Sequence, residues 1–178
     1  MKSNKKTVKK ITYLAILTAL AIGIHVAESL LPIPIPVPGV KLGFANIITL
    51  FFLFHKPGSM SAADAFTILV IRITAGLLIT GRFMAFAYSL TGGIFAFLAI
   101  LLSKRFVTKK QIWVAGVLGA IFHNIGQILA AMILTGTPWI IVYLPILLIA
   151  AIITGTLTGV ITQMVLLRLE NHKLSENI

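Results

Sequence analysis

"LGFANIITLFFLF", residues 42–54, decides how this chain is organised. The run is apolar enough to enter a bilayer. As a helix, however, it rises only about 20 Å, short of the roughly 30 Å of hydrocarbon that a crossing must span. Either it turns back, or it crosses with help from its neighbours. Five other apolar runs carry no such ambiguity: Ile11–Leu31, Ala62–Ile79, Phe83–Leu102, Ile112–Leu134 and Trp139–Leu167. Each is long enough to span and is bounded by charge or by glycine and proline.

Charge resolves the short run, because cytoplasmic loops accumulate Lys and Arg. If residues 42–54 cross and the N-terminus is inside, one side collects "MKSNKKTVKK" (1–10), Lys56, "SKRFVTKK" (103–110), Arg168 and Lys173, and the other holds only Lys41 and Arg82. If the run turns back, the 103–110 cluster changes side and the bias collapses. The expected fold is therefore an all-α integral membrane protein with six transmembrane helices and both termini cytoplasmic, a multi-pass protein of the cell membrane. One polytopic domain fills residues 1–178: a basic N-terminus (1–10), a six-helix bundle (11–168) and a cytoplasmic tail (169–178).

Composition agrees. The chain has 178 residues, 58% of them hydrophobic, with only four acidic side chains and a net charge of +11. No soluble domain of this size hides so much apolar surface, so the bilayer is the solvent. The positive charges sit at the ends of apolar runs and not along one face, which argues for membrane topology and against nucleic acid. The basic flank and following run resemble a signal peptide, but the run exceeds the usual apolar region and no A-x-A site precedes the prolines. A retained first helix is expected. The absence of cysteine excludes a disulfide framework, a thiolate metal site and a cysteine nucleophile. In the last run, Trp139 and Tyr143 mark the outer interface and Pro145 is expected to kink the helix.

Polar side chains inside spans are costly and are site candidates by default. His25 and Glu28 stand three apart in the first run, on one helical face. His123 and Gln127 stand four apart in the fifth, with Asn124 beside them. Arg72 falls mid-span in the third, Asn46 and Tyr88 in the outer halves of the second and fourth, and Lys41 at the end of the proline-rich loop. Together they read as an outward-opening polar cluster able to hold a small organic solute. The plainer alternatives are a structural Arg72–Glu28 ion pair and hydrogen-bond glue from His123, Asn124 and Gln127. His25, His123 and Glu28 could in principle form a metal set, but nothing in the sequence brings their helices together, so no metal or cofactor is assigned. Asp64 fits a helix N-terminus.

Small residues four apart, Ala15 with Ala19 and Gly155 with Gly159, suit close helix approach, either within the bundle or to a partner. Prolines at 32, 34, 36 and 38 stiffen the first loop, which reads as a rigid lid over the outer mouth. Catalytic signatures are scarce. There is no P-loop, and the four acids, Glu28, Asp64, Glu170 and Glu176, are too dispersed to hold Mg²⁺ against a diphosphate.

The motifs "IHVAESLLPIPIPVPGVKLGFANI", "YSLTGG", "HNIGQ" and "YLP", spread over about residues 12–168, resemble the family described as heptaprenyl diphosphate synthase component I, also called the Gx transporter family. That family is in turn similar to the S components of energy-coupling factor (ECF) transporters. The resemblance implies a six-helix S-component-like bundle that binds a solute without catalysis, an Ala15/Ala19 face that contacts a transmembrane coupling subunit served by cytoplasmic ATPases, and a first loop that helps close the substrate site. The Met-His terminus of nickel and cobalt members is replaced here by Met1-Lys2. The family's name leaves a second expectation, a membrane accessory subunit of prenyl diphosphate or quinone synthesis, and analogy with related gene clusters adds a subunit of a quinone- or flavin-linked electron-export system.

Overall fold

The computed structural model describes residues 2–30, 41, 43–55 and 60–175, with side chains described for 7–30, 41, 43–55 and 60–171. The proline stretch, and with it the predicted lid, lies outside the described residues.

Six helices follow in chain order: α1 (Lys2–Leu30), α2 (Asn46–His55), α3 (Ala62–Thr80), α4 (Phe83–Ser103), α5 (Ile112–Thr135) and α6 (Leu144–Ser175). Short 3₁₀ turns at Lys109–Gln111 and Pro138–Tyr143 lead into α5 and α6. No strand occurs among the described residues. Five helices are long and apolar enough to cross a membrane, and α2 is the exception. The chain is an all-α integral membrane protein, and α1 continues back through the basic flank to Lys2.

The short helix works because it is surrounded. α2 touches every other helix, and Ile48, Leu50, Phe52 and Leu53 are buried on it. Irregular backbone and helix ends at membrane depth are tolerated only where protein satisfies them. At the C-terminal end of α2, Lys104 Nζ donates to the Leu53 carbonyl at 2.6 Å. At the other end, Gly43 takes a left-handed conformation (φ 84°), and its carbonyl accepts from Asn46 N at 3.0 Å.

Caps fix the longer helices. Asp64 is the third residue of α3, and Oδ2 accepts from Ser61 N at 2.8 Å while Oδ1 pairs with Lys10 at 2.9 Å. This matches the reading of Asp64 as a helix N-terminus residue. Arg82, between α3 and α4, donates to the Ser29 carbonyl at the end of α1 at 3.0 Å. Pro145 does not kink a helix. It stands in the first turn of α6, where a missing N–H costs nothing, and Trp139 and Tyr143 precede it in a 3₁₀ turn.

Glycine sets the tightest seam. A Cβ on Gly116 of α5 would lie 2.4 Å from the Gly155 carbonyl, and one on Gly159 of α6 would lie 2.4 Å from Trp113 Cα. The Gly155/Gly159 pair is thus used inside the bundle, where α5 and α6 meet backbone to backbone. Ala15 and Ala19, in contrast, are exposed.

Candidate functional site

All nine residues singled out from the sequence, His25, Glu28, Lys41, Asn46, Arg72, Tyr88, His123, Asn124 and Gln127, are buried. Two apolar clusters pack near them on different sets of helices. One contains Leu17, Leu69, Ile73, Phe97 and Ile100, and the other is built on Ile128, Ala131 and Leu147. Tyr88 belongs to the second cluster by its contacts. The other eight form a polar layer across the bundle.

Half of that layer is fastened. Gln127 uses both ends of its amide on the backbone of Lys41: Oε1 accepts from Lys41 N at 2.8 Å, and Nε2 donates to Lys41 O at 2.7 Å. The Lys41 ammonium turns to α1, donating to Ser29 Oγ at 2.6 Å and lying 3.0 Å from His25 Nε2. Glu28 Oε1 accepts from the Gly43 and Phe44 amides, the second at 3.3 Å. Asn124 Nδ2 donates to the Leu147 carbonyl at 2.7 Å, tying α5 to α6. The end of the first loop is thereby pinned to α1 and α5 at once.

Glycines make room for these rings and turns. Added to Gly76 of α3, a Cβ would fall 2.5 Å from His25 Cδ2, so Gly76 is the seat of that ring. A Cβ on Gly43 would lie 3.0 Å from both Asn46 Nδ2 and His123 Cδ2, and one on Gly92 would lie 3.0 Å from His123 Cε1. His123 is therefore held between the loop and α4.

The remaining half is open in hydrogen-bonding terms. Arg72 is 2% exposed and spends one nitrogen on Asn46 Oδ1, with Nη2 at 2.7 Å. Its Nε and Nη1, Asn46 Nδ2, Ser89 Oγ and both ring nitrogens of His123 are buried without a hydrogen-bond partner. The structural Arg72–Glu28 ion pair is not formed: the described ion pairs are Lys10–Asp64 and Lys109–Glu170. Of the three residues read as possible glue, Asn124 and Gln127 act so. No group of three His, Cys, Asp or Glu able to hold a metal occurs among the described residues.

Reading single polar residues missed Ser29 and Ser89, as well as the glycines that seat His25 and His123. Ser89 and Gly92 were nonetheless inside "YSLTGG", and Gly43 inside "KLGFAN". Gly126 of "HNIGQ" joins the same geometry, since its Cβ would stand 2.9 Å from Gly92 Cα. Thr154, Thr158 and Thr162, a buried stripe on α6, also went unread. A groove of about 440 Å³ lies elsewhere, lined by Phe95, Leu98, Ala99, Leu102, Phe106, Leu118 and Phe122 on α4 and α5 and just beyond α4. It contains none of the polar layer, and its side chains are those of a lipid-facing surface.

The fold and this layer define a polytopic helical membrane protein whose interior holds a layer of polar groups, with Lys41 fastened to α1 and α5. The family model described as heptaprenyl diphosphate synthase component I matches residues 17–165, and the chain belongs to that family. No curated protein and no solved structure matches it.

Proposed function

We propose that the protein is the substrate-binding membrane subunit, an S component, of an ECF-type transporter, capturing a small organic solute from the outer side of the cell membrane. The observation that carries this reading is the double fastening of Lys41 to α1 and α5 above unpartnered buried donors. Lys41 held to two helices beside a layer of unpartnered donors suits a buried site that holds a polar solute. The positive-inside rule supports placing the loop end outside: Lys41 and Arg82 are the cations there, and both are engaged by α1.

The role is binding without catalysis. Glu28 accepts from loop amides, Asp64 is held by Ser61 and Lys10, and Glu170 pairs with Lys109. These carboxyl groups are separated and engaged, which does not suit a magnesium-diphosphate centre.

The coupling partner would dock on α1. Ala15 and Ala19 are exposed, and the same face continues through the exposed Gly23 and Ala27, which gives a strip of small residues that another helix can approach closely. With Ala15→Trp plus Ala19→Trp, co-purification with a transmembrane coupling subunit and its cytoplasmic ATPases should be lost. Assembly at the wild-type level would remove the reading. The family's description favours a second one, an accessory subunit of prenyl diphosphate or quinone synthesis. It falls if the soluble synthase subunit keeps its full rate and product length without this chain.

A further inference from the structure

The chemistry of the unpartnered groups narrows what the site takes. The amide oxygens of the layer and one carboxylate oxygen are engaged: Glu28 Oε1 by loop amides, Gln127 Oε1 by Lys41 N, Asn46 Oδ1 by Arg72 and Asn124 Oδ1 by Gln127. Among the unpartnered buried atoms of the layer, donors predominate. Arg72 keeps Nε and Nη1, Asn46 keeps Nδ2, Ser89 keeps its hydroxyl, and His123 donates from whichever ring nitrogen carries the proton.

These groups converge. Asn46 is bonded to Arg72, and both Asn46 Nδ2 and His123 Cδ2 lie 3.0 Å from the point where a Gly43 Cβ would stand. Ser89 is one helical turn from Gly92, against which the His123 ring rests. Charge points the same way. Arg72 and Lys41 bring two cations into the layer against the single carboxyl of Glu28, and no acid among the described residues is within ion-pair distance of Arg72. A guanidinium buried at 2% exposure with two free nitrogens is an incomplete arrangement until a planar or tetrahedral oxyanion completes it.

We propose that this layer binds the oxyanion group, carboxylate or phosphate, of the captured solute, with Arg72 as its principal partner and Asn46, His123 and Ser89 around it. The proposal rests on the substrate-binding reading above and adds the chemical class of the substrate. It also divides the residues read from the sequence: Glu28, Lys41, His25 and Gln127 fasten the loop, and Arg72, Asn46 and His123 face the ligand.

The test is thermal unfolding of the detergent-purified full chain, titrated with sodium phosphate and separately with sodium benzoate, against sodium chloride at matched ionic strength. A saturable rise in Tm with phosphate or with benzoate, absent with chloride, is expected, and the salt that acts identifies the oxyanion. Arg72→Lys keeps the charge and loses the fork, so half-saturation should move up about tenfold or more. Asn46→Asp supplies Arg72 with an internal carboxylate; it should fold at least as stably as wild type and lose the response. A wild type that responds to neither salt beyond chloride overturns the proposal. So does either variant that titrates like wild type. Assembly with the coupling subunit reports separately. A chain that assembles and ignores both oxyanions keeps the transporter role and loses this proposal, whereas one that binds an oxyanion and never assembles does the reverse.

Discussion

The two halves of the polar layer contain the same kinds of residue and treat them oppositely. Around Lys41, the loop, α1 and α5 close a set of bonds in which Gln127, Ser29, His25 and Glu28 all have partners. Around Arg72, one bond to Asn46 stands among six buried polar atoms without any. A buried polar group left unmade costs about 1–3 kcal/mol, and six of the eight such side-chain atoms among the described residues stand in this half, Thr154 Oγ1 and Gln163 Oε1 being the others. The contrast teaches that burial alone does not separate structure from site here, because both halves are equally buried; satisfaction does.

The largest test of the comparison is Glu28→Ala. It orphans the Gly43 and Phe44 amides and removes the one carboxyl that offsets Lys41 and Arg72. A loss of about 3–5 kcal/mol is expected in denaturant unfolding of the detergent-solubilised protein. Glu28→Gln, which keeps an acceptor oxygen, should recover much of that. Equal losses for the two variants would show that Glu28 does not act through the loop amides.

Gln127→Leu comes next. Both amide bonds to Lys41 disappear, leaving a buried N–H and a buried carbonyl on the loop, for an expected cost of about 2–4 kcal/mol. Protease accessibility of the α1–α2 connection should rise with it. A variant as stable and as protected as wild type would mean that the fastened half does not hold the loop.

How much of this could be read from the sequence depends on what each property requires. Five helices were legible because hydrophobic length is a local property: the ranges read for α3, α4 and α5 agree with the observed ends to within a residue or so. The short α2 was legible only as a problem, since its solution, contact with all five other helices, is non-local. Polar residues in apolar runs stood out one by one, and all nine proved buried. Their partners did not stand out, because Gln127 is 86 residues from Lys41 and periodicity carries no information at that separation. The Arg72–Glu28 pairing was a guess from charge alone, and geometry gave Arg72 to Asn46 instead. Pro145 was misread because a helix start was not separated from a helix interior, and the 3₁₀ turn before it carries the apolar pattern straight through.

The smallest expected effect discriminates best, because it sets one histidine against another. His25 and His123 are 5% and 4% exposed, lie in the same layer, and differ only in partners. His25 meets the Lys41 ammonium and is seated by Gly76, whereas both nitrogens of His123 are unpartnered. His25→Leu should cost about 1–2 kcal/mol, since a buried ammonium loses a partner. His123→Leu removes two unsatisfied polar atoms from the interior and should leave the ligand-free protein within about 1 kcal/mol of wild type, on the stabilising side, by the same unfolding measurement. The order of the two variants is what matters: if His123→Leu destabilises as much as His25→Leu, the open half is structural after all, and the division of the layer into fastened and ligand-facing groups fails.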